Sequence, residues 1–209
     1  MTPAPQLALG MILTAAAGMI DVVGFIELGG FYTSFMSGNT TQLGAGMAGL
    51  EGMVIALPLG LITMFFLGSF LGSLVGESAA GSKGVLALVL AGLVVTLLLQ
   101  IGGFTPAQSM LALAGAAGAQ NAVLTPKGAV RLGATFVTGT LFAAGQDLAR
   151  AVRGRAPPLR WAQHLLVWLA LLVGALIGAA IYGAWQIWSL VAPGAIYTAL
   201  LVWLAVRQA

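Results

Sequence analysis

The stretch FMSGNTTQLG, residues 35–44, decides how this chain is read. It gathers Ser37, Asn39, Thr40, Thr41 and Gln42 within six residues, alongside Gly38 and Gly44. The surrounding chain is the opposite in character. Of its 209 residues 60% are hydrophobic and 6% charged, with a mean hydropathy of +1.04. A soluble domain carries about 25% charged residues, so this chain cannot cover a water-facing surface and belongs in a membrane. A cluster of hydrogen-bonding groups in that setting needs a purpose.

The apolar runs are continuous and close to the ~20 residues an α-helix needs to cross a bilayer. A membrane β-barrel would instead alternate over ~10-residue segments. The expected class is therefore an all-α polytopic membrane protein. Hydrophobic segments fall at about 6–28, 52–76, 84–103, 106–125, 161–184 and 187–206, with two shorter, more polar ones at 34–50 and 134–149. The start, MTPAPQLALG, lacks the basic region of a cleavable signal, so the first segment is expected to be a retained helix. A single transmembrane domain over 1–209 leaves no room for a soluble one. The net charge of +3 is spread over short loops, chiefly the basic loop 150–160, which argues against a nucleic-acid partner. With zero cysteines there are no disulfides or thiolate ligands.

The two halves resemble each other. GMIDVVGF (18–25) aligns with GAQNAVLT (118–125), setting Asp21 over Asn121. SFMSGNTTQLG (34–44) aligns with TFVTGTLFAAG (135–145), pairing Phe35 with Phe136, Ser37 with Thr138 and Gly38 with Gly139. GSFLG (68–72) aligns with GALIG (174–178). Repeat 1 covers about 6–103 and repeat 2 about 106–206. Each reads as a long helix, a short polar segment and two long helices.

Topology follows from the eight Lys and Arg residues, which collect on the cytoplasmic side. If both short segments cross, Arg150, Arg153, Arg155, Arg160 and Arg207 face Lys83, Lys127 and Arg131 across the bilayer. If neither crosses, all eight share one side with both termini. A seven-span arrangement, with only 34–50 crossing, matches that count but treats two similar segments differently. The expectation is six full transmembrane helices plus two short broken or half-membrane helices. They form two inverted repeats in the inner (plasma) membrane with cytoplasmic termini.

A half-helix starting at mid-membrane exposes unpaired backbone N–H groups and the positive end of its dipole. Transporters use such starts to hold substrates. Ser37-Gly38-Asn39 and Thr138-Gly139-Thr140 read as two of them, each with a capping side chain and a glycine. Asp21 stands within a hydrophobic segment, where a carboxylate costs ~2.5–3.5 kcal/mol and often marks a proton or cation pathway. The expected site comprises Ser37, Gly38, Asn39, Thr40, Thr138, Gly139 and Thr140 as substrate-facing groups, helped by Gln120 and Asn121. Asp21 is the coupling residue. Structural readings compete: Ser, Thr and Gly also pack membrane helices together, and Asp21, Glu27 and Glu51 could reach the interface. Asp147 could simply pair with Arg150 at i+3. His164 has no second histidine or nearby carboxylate in sequence, so no metal site is expected.

No Walker loop, HExxH or GxSxG motif is present, so neither an enzyme nor a cofactor is expected. The function read from these residues is a small secondary transporter or channel for a small polar or anionic solute, coupled to a proton or cation. The alternative is a membrane-embedded interaction or assembly protein. The expected partners are the lipid bilayer and a small-molecule or ion substrate. The runs Gly68-Gly72-Gly76 and Gly174-Gly178 would suit close helix packing or a homodimer.

The run DVVGFIELGGFYTSFMSGNT (21–40) resembles the start of the YoaK-like family of uncharacterised membrane proteins. The matching features are Asp21, Leu28-Gly29 and Phe35-Met36-Ser37-Gly38-Asn39, followed later by GAQNAV (118–123) and FVTGT (136–140). The resemblance spans nearly the whole chain and implies a multi-spanning, permease-like membrane protein. It carries no substrate with it.

Overall fold

A computed structural model of the chain describes residues 2–49, 52–124, 135 and 137–207. The expectations that touch Glu51, Lys127, Arg131 and Phe136 lie outside these described residues. Among them the fold is all-helical. In order the helices are α1 (Ala4–Glu27), α2 (Met36–Gly49), α3 (Gly52–Glu77), α4 (Gly81–Ile101), α5 (Pro106–Gln120), α6 (Val137–Val152), α7 (Arg160–Trp185) and α8 (Val191–Arg207). Four helical stretches are long and apolar enough to cross a membrane: Ala4–Glu27, Ile55–Glu77, Gly81–Ile101 and the 47-residue Arg160–Val206, which takes in α7 and all but the last residue of α8.

Local chemistry sets the helix ends. Helix α1 stops where Gly29 and Gly30 adopt φ of +62° and +112°, and the Gly30 N–H returns 2.9 Å to the Phe25 carbonyl. Side chains resist that left-handed turn. Helix α5 opens on a reciprocal capping box, Thr105 with Gln108, and has Pro106 in its first turn. It ends at Gln120, five residues before the hydrophobic run does, and the chain continues as a turn through Leu124.

Glycine decides the packing. On the α1–α7 seam, a Cβ on Gly18 would strike the Leu171 carbonyl, one on Gly174 the Ala15 carbonyl, and one on Gly178 would lie 2.8 Å from Met19 Cα. On the α3–α5 seam, Gly118 meets the Phe65 carbonyl, Gly68 the Gly115 carbonyl, and a Cβ on Gly72 would lie 2.7 Å from Ala119 Cα. The residues aligned between the two halves therefore make the same contacts twice. Lipid gives apolar side chains no hydrophobic reason to associate, so such backbone-to-backbone approach is what holds membrane helices together. Helices α4 and α8 complete the core, which includes Leu13, Ile20, Leu86, Met110, Leu113 and Tyr197.

The two short helices do not meet as expected. Helix α2 rests on α3 and α6 on α7, and the element contacts include no α2–α6 interface among the described residues. Among the described residues, the two polar segments therefore do not jointly wall a single cavity.

Candidate functional site

Asp21 lies in the last two turns of α1 and organises the connection to α2. Its Oδ1 accepts hydrogen bonds from the Ser34 backbone N–H (2.7 Å) and the Thr33 hydroxyl (3.2 Å). Gly24, one turn further on, makes room: a Cβ there would collide with the Thr33 side chain. Asn39 clamps the same connection from the other side. Fully buried, it accepts from the Tyr32 N–H at 3.0 Å and donates to the Tyr32 carbonyl at 2.7 Å. Gln42 donates to the Gly30 carbonyl at 2.8 Å. Irregular backbone inside a membrane protein must have its polar groups satisfied, and these three side chains satisfy this one.

Most of the polar cluster at residues 37–42 is thereby accounted for. Thr40 and Thr41 return their hydroxyls to the Met36 and Ser37 carbonyls four residues back, on the exposed side of α2 with Ser37. Gly38 is required by aromatic rings, since a Cβ there would sit 2.6 Å from the Phe35 ring. The Gly38 and Asn39 N–H groups already bond the Phe35 carbonyl. The start of α2 is therefore closed in large part by its own chain, with the Met36 N–H also bonded to the Ser34 carbonyl.

What does open beside Asp21 is a cleft of about 280 Å³, lined by Gly18, Asp21, Val22, Phe25, Tyr32, Leu171 and Ala175. Tyr32 packs between Phe25, tilted at 36° with ring centroids 5.1 Å apart, and Phe35, edge-on at 5.2 Å. Asp21 has no basic partner among the described residues. A carboxylate and aromatic faces in one small apolar cleft form a set that attracts positive charge.

The second half repeats the motif with a neutral group. Asn121 Oδ1 accepts from the Thr135 N–H (3.3 Å) and hydroxyl (3.1 Å), as Asp21 does from Ser34 and Thr33. Gln120, almost wholly buried, donates to the Leu13 carbonyl at 2.7 Å. Asp21 is eight residues beyond Leu13, roughly 12 Å along α1, so Asp21 and Asn121 belong to separate hubs. Thr140 is buried, while Thr138 and Gly139 lie exposed on α6; nothing comes within 4 Å of a Cβ built on Gly139.

A family model described as "Protein of unknown function (DUF1275)" matches residues 9–203. The chain belongs to this family. The UPF0700 transmembrane protein RA0705 of Rhizobium meliloti (strain 1021) is 31% identical over 175 residues, which is 84% of this chain and 75% of the relative. No solved structure matches. The matched span takes in both polar hubs and both glycine seams, and the YoaK-like resemblance holds.

In this DUF1275 chain a further cluster lies away from the residues that the sequence pattern singles out. Asp147 on α6 is buried and pairs with Arg160 on α7, whose Nε lies 2.6 Å from Oδ2 and whose Nη2 lies at Oδ1. Arg150, the partner expected from spacing, stands 3.8 Å away. His164 is buried beside the same carboxylate, with Nε2 3.3 Å from Oδ2, so a carboxylate 17 residues away in sequence stands next to it in the fold. The chain reversal at Pro157 and Pro158 brings these residues together across a gap that local spacing could not reveal. Glu27, expected at the interface, accepts from the Tyr182 hydroxyl at 2.8 Å and ties α1 to α7.

Two predictions arise from this geometry. Asn39→Ala removes both contacts to Tyr32 and should cost about 1–3 kcal/mol, lowering Tm by several degrees in a detergent melt. Thr40→Ala and Thr41→Ala should stay within about 0.5 kcal/mol of wild type. Asp147 lies outside the four apolar stretches, and its hydrogen bond from Arg160 holds the carboxyl below the usual carboxylate range. A lowered folded value contributes stability that is present above the unfolded value of ~3.9 and is lost as pH falls through the folded one. The Tm difference between wild type and Asp147→Asn should therefore be flat from neutral to mildly acid pH and shrink only in strong acid.

Proposed function

We propose that the chain is a small secondary transporter or channel of the inner membrane, and that its solute is a small organic cation held at Asp21. The observation that carries this reading is the uncompensated carboxylate facing an aromatic-lined cleft. The anionic solute suggested by helix starts finds less support at α2, where the Gly38 and Asn39 N–H groups are engaged by the Phe35 carbonyl and the Met36 N–H by that of Ser34. Asp21 Oδ2 would contact the cation, with Phe25 and Tyr32 supplying ring faces. At about 280 Å³, the cleft lies at the small end of ligand sites.

Six crossings in two inverted repeats suit the packing. Ala15 with Gly174 and Met19 with Gly178 rise together, so α1 and α7 run the same way; Gly68 with Gly115 and Gly72 with Ala119 do the same for α3 and α5. If the two pairs run in opposite senses, neither α2 nor α6 crosses, and all eight basic residues share the cytoplasmic side. The same sense would force both to cross. With 14 and 16 residues they would be about 21 and 24 Å long, short of the ~30 Å core. Between the two polar hubs, Thr14 Oγ1 and Gln120 Oε1 are buried with no hydrogen-bond partner among the described residues. Each such group costs about 1–3 kcal/mol, an expense that a solute or proton path through the centre of the fold would explain.

Uptake by proteoliposomes tests the reading. Vesicles holding the purified protein should accumulate tetramethylammonium or ethylammonium above protein-free vesicles. Equal uptake in both would overturn transport and favour the membrane-embedded assembly role.

A further inference from the structure

Away from Asp21, the C-terminal end of α6 and the start of α7 border an open cleft of about 610 Å³ lined by Gln146, Ala149, Arg150, Arg153, Arg155 and Arg160. We infer that this cleft binds the phosphate headgroup of an anionic phospholipid, an interaction separate from the proposed transport.

Three features converge on it. The first is charge: four guanidinium groups surround the cleft, and the ion pairs among the described residues involve one carboxylate, Asp147. Arg160 is committed to that carboxylate, and Arg150 leans toward it at 3.8 Å. Arg153 and Arg155 are exposed and have no acidic partner among the described residues. The second is backbone shape. Gly154 takes a φ of +65°, and the Arg155 N–H returns 2.8 Å to the Arg150 carbonyl. This left-handed cap turns the chain back and brings Arg155 to the same cleft as Arg150 and Arg153. Guanidinium groups gathered in this way suit a phosphate, which they can engage in bidentate fashion.

The third feature selects a lipid as the source of that phosphate. Helix α6 carries Leu141, Phe142, Leu148 and Val152, which are 44, 71, 43 and 81% exposed, on the flank adjoining its buried residues Val137 and Ala144. A short helix with an exposed apolar face and arginines at one end lies well in the headgroup region of a bilayer. Basic clusters on the cytoplasmic side attract anionic lipid. Acyl chains would run along the apolar face of α6 while the phosphate entered the cleft.

Native mass spectrometry of the full chain from mixed micelles of phosphatidylglycerol and phosphatidylcholine tests the inference. The wild type should retain phosphatidylglycerol in preference. The double variant Arg153→Gln/Arg155→Gln should lose at least fivefold of it with an unchanged melting temperature, because neither side chain is committed to a partner. Lys83→Gln, remote in sequence from the cleft, should keep wild-type retention. Leu148→Gln should weaken lipid retention as well. Equal retention by wild type and the arginine double variant would overturn the inference. So would displacement of the lipid by millimolar inorganic phosphate with Leu148→Gln behaving as wild type, since the site would then take free phosphate.

Discussion

Asp21→Asn should reduce tetramethylammonium accumulation by at least tenfold while leaving the protein folded. The asparagine amide is the same size, and its oxygen can still accept from Ser34 and Thr33, as Asn121 does from Thr135 in the other half. The connection to α2 should therefore keep its shape. What disappears is the negative charge in a cleft whose other walls are apolar or aromatic. Ring faces alone contribute only about 0.5–2 kcal/mol to a cation, too little to offset removing it from water. Asp21→Glu retains the charge but pushes it outward, and an intermediate rate is expected. Tyr32→Leu should cut uptake less than Asp21→Asn, because Phe25 still lines the cleft. Initial rates in proteoliposomes, normalised to inserted protein, measure all three.

The second large effect concerns assembly. Gly174→Leu and Gly68→Leu should each prevent recovery of monodisperse protein from detergent. In each case the new side chain would occupy the space of a backbone carbonyl, that of Ala15 or Gly115. A flexible neighbour could yield for about 1–3 kcal/mol, but a helix backbone cannot, so the seam must part. The two variants should fail alike because the two seams are built alike. Gly183→Leu, on the same helix as Gly174, and Gly44→Leu on α2 meet nothing within 4 Å and should purify as wild type. Size-exclusion profiles at matched expression distinguish these outcomes.

The sequence made the helical class legible through composition, and it made the paired positions legible through alignment. Gly18 with Gly118, Gly68 with Gly174 and Asp21 with Asn121 match on residue order alone, and each pair shares a role in the fold. The orientation of polar side chains was harder to read. Asn39, Thr40 and Thr41 are adjacent, yet one is buried against Tyr32 and the others return to their own helix, because successive residues on a helix point about 100° apart. Long-range partners left no local trace. Arg160 reaches Asp147 only after the reversal at Pro157 and Pro158, and Leu171 joins the Asp21 cleft only because Gly18 lets α7 approach. Phe25 and Tyr32 do leave a signal in the sequence, since aromatic residues at positions 25, 31, 32 and 35 follow the carboxylate closely. Their ordinary use as lipid-facing bulk concealed the pattern.

The most direct measurement is protection of a single carboxyl group. Dicyclohexylcarbodiimide enters apolar clefts and modifies carboxyl groups there, and peptide mass spectrometry locates the adduct. Labelling should fall on Asp21 and decline in proportion to added tetramethylammonium, with equal concentrations of sodium sulfate giving no protection. If Asp21 is labelled to the same extent with and without the cation, the cleft is not a cation site and the proposed function is wrong.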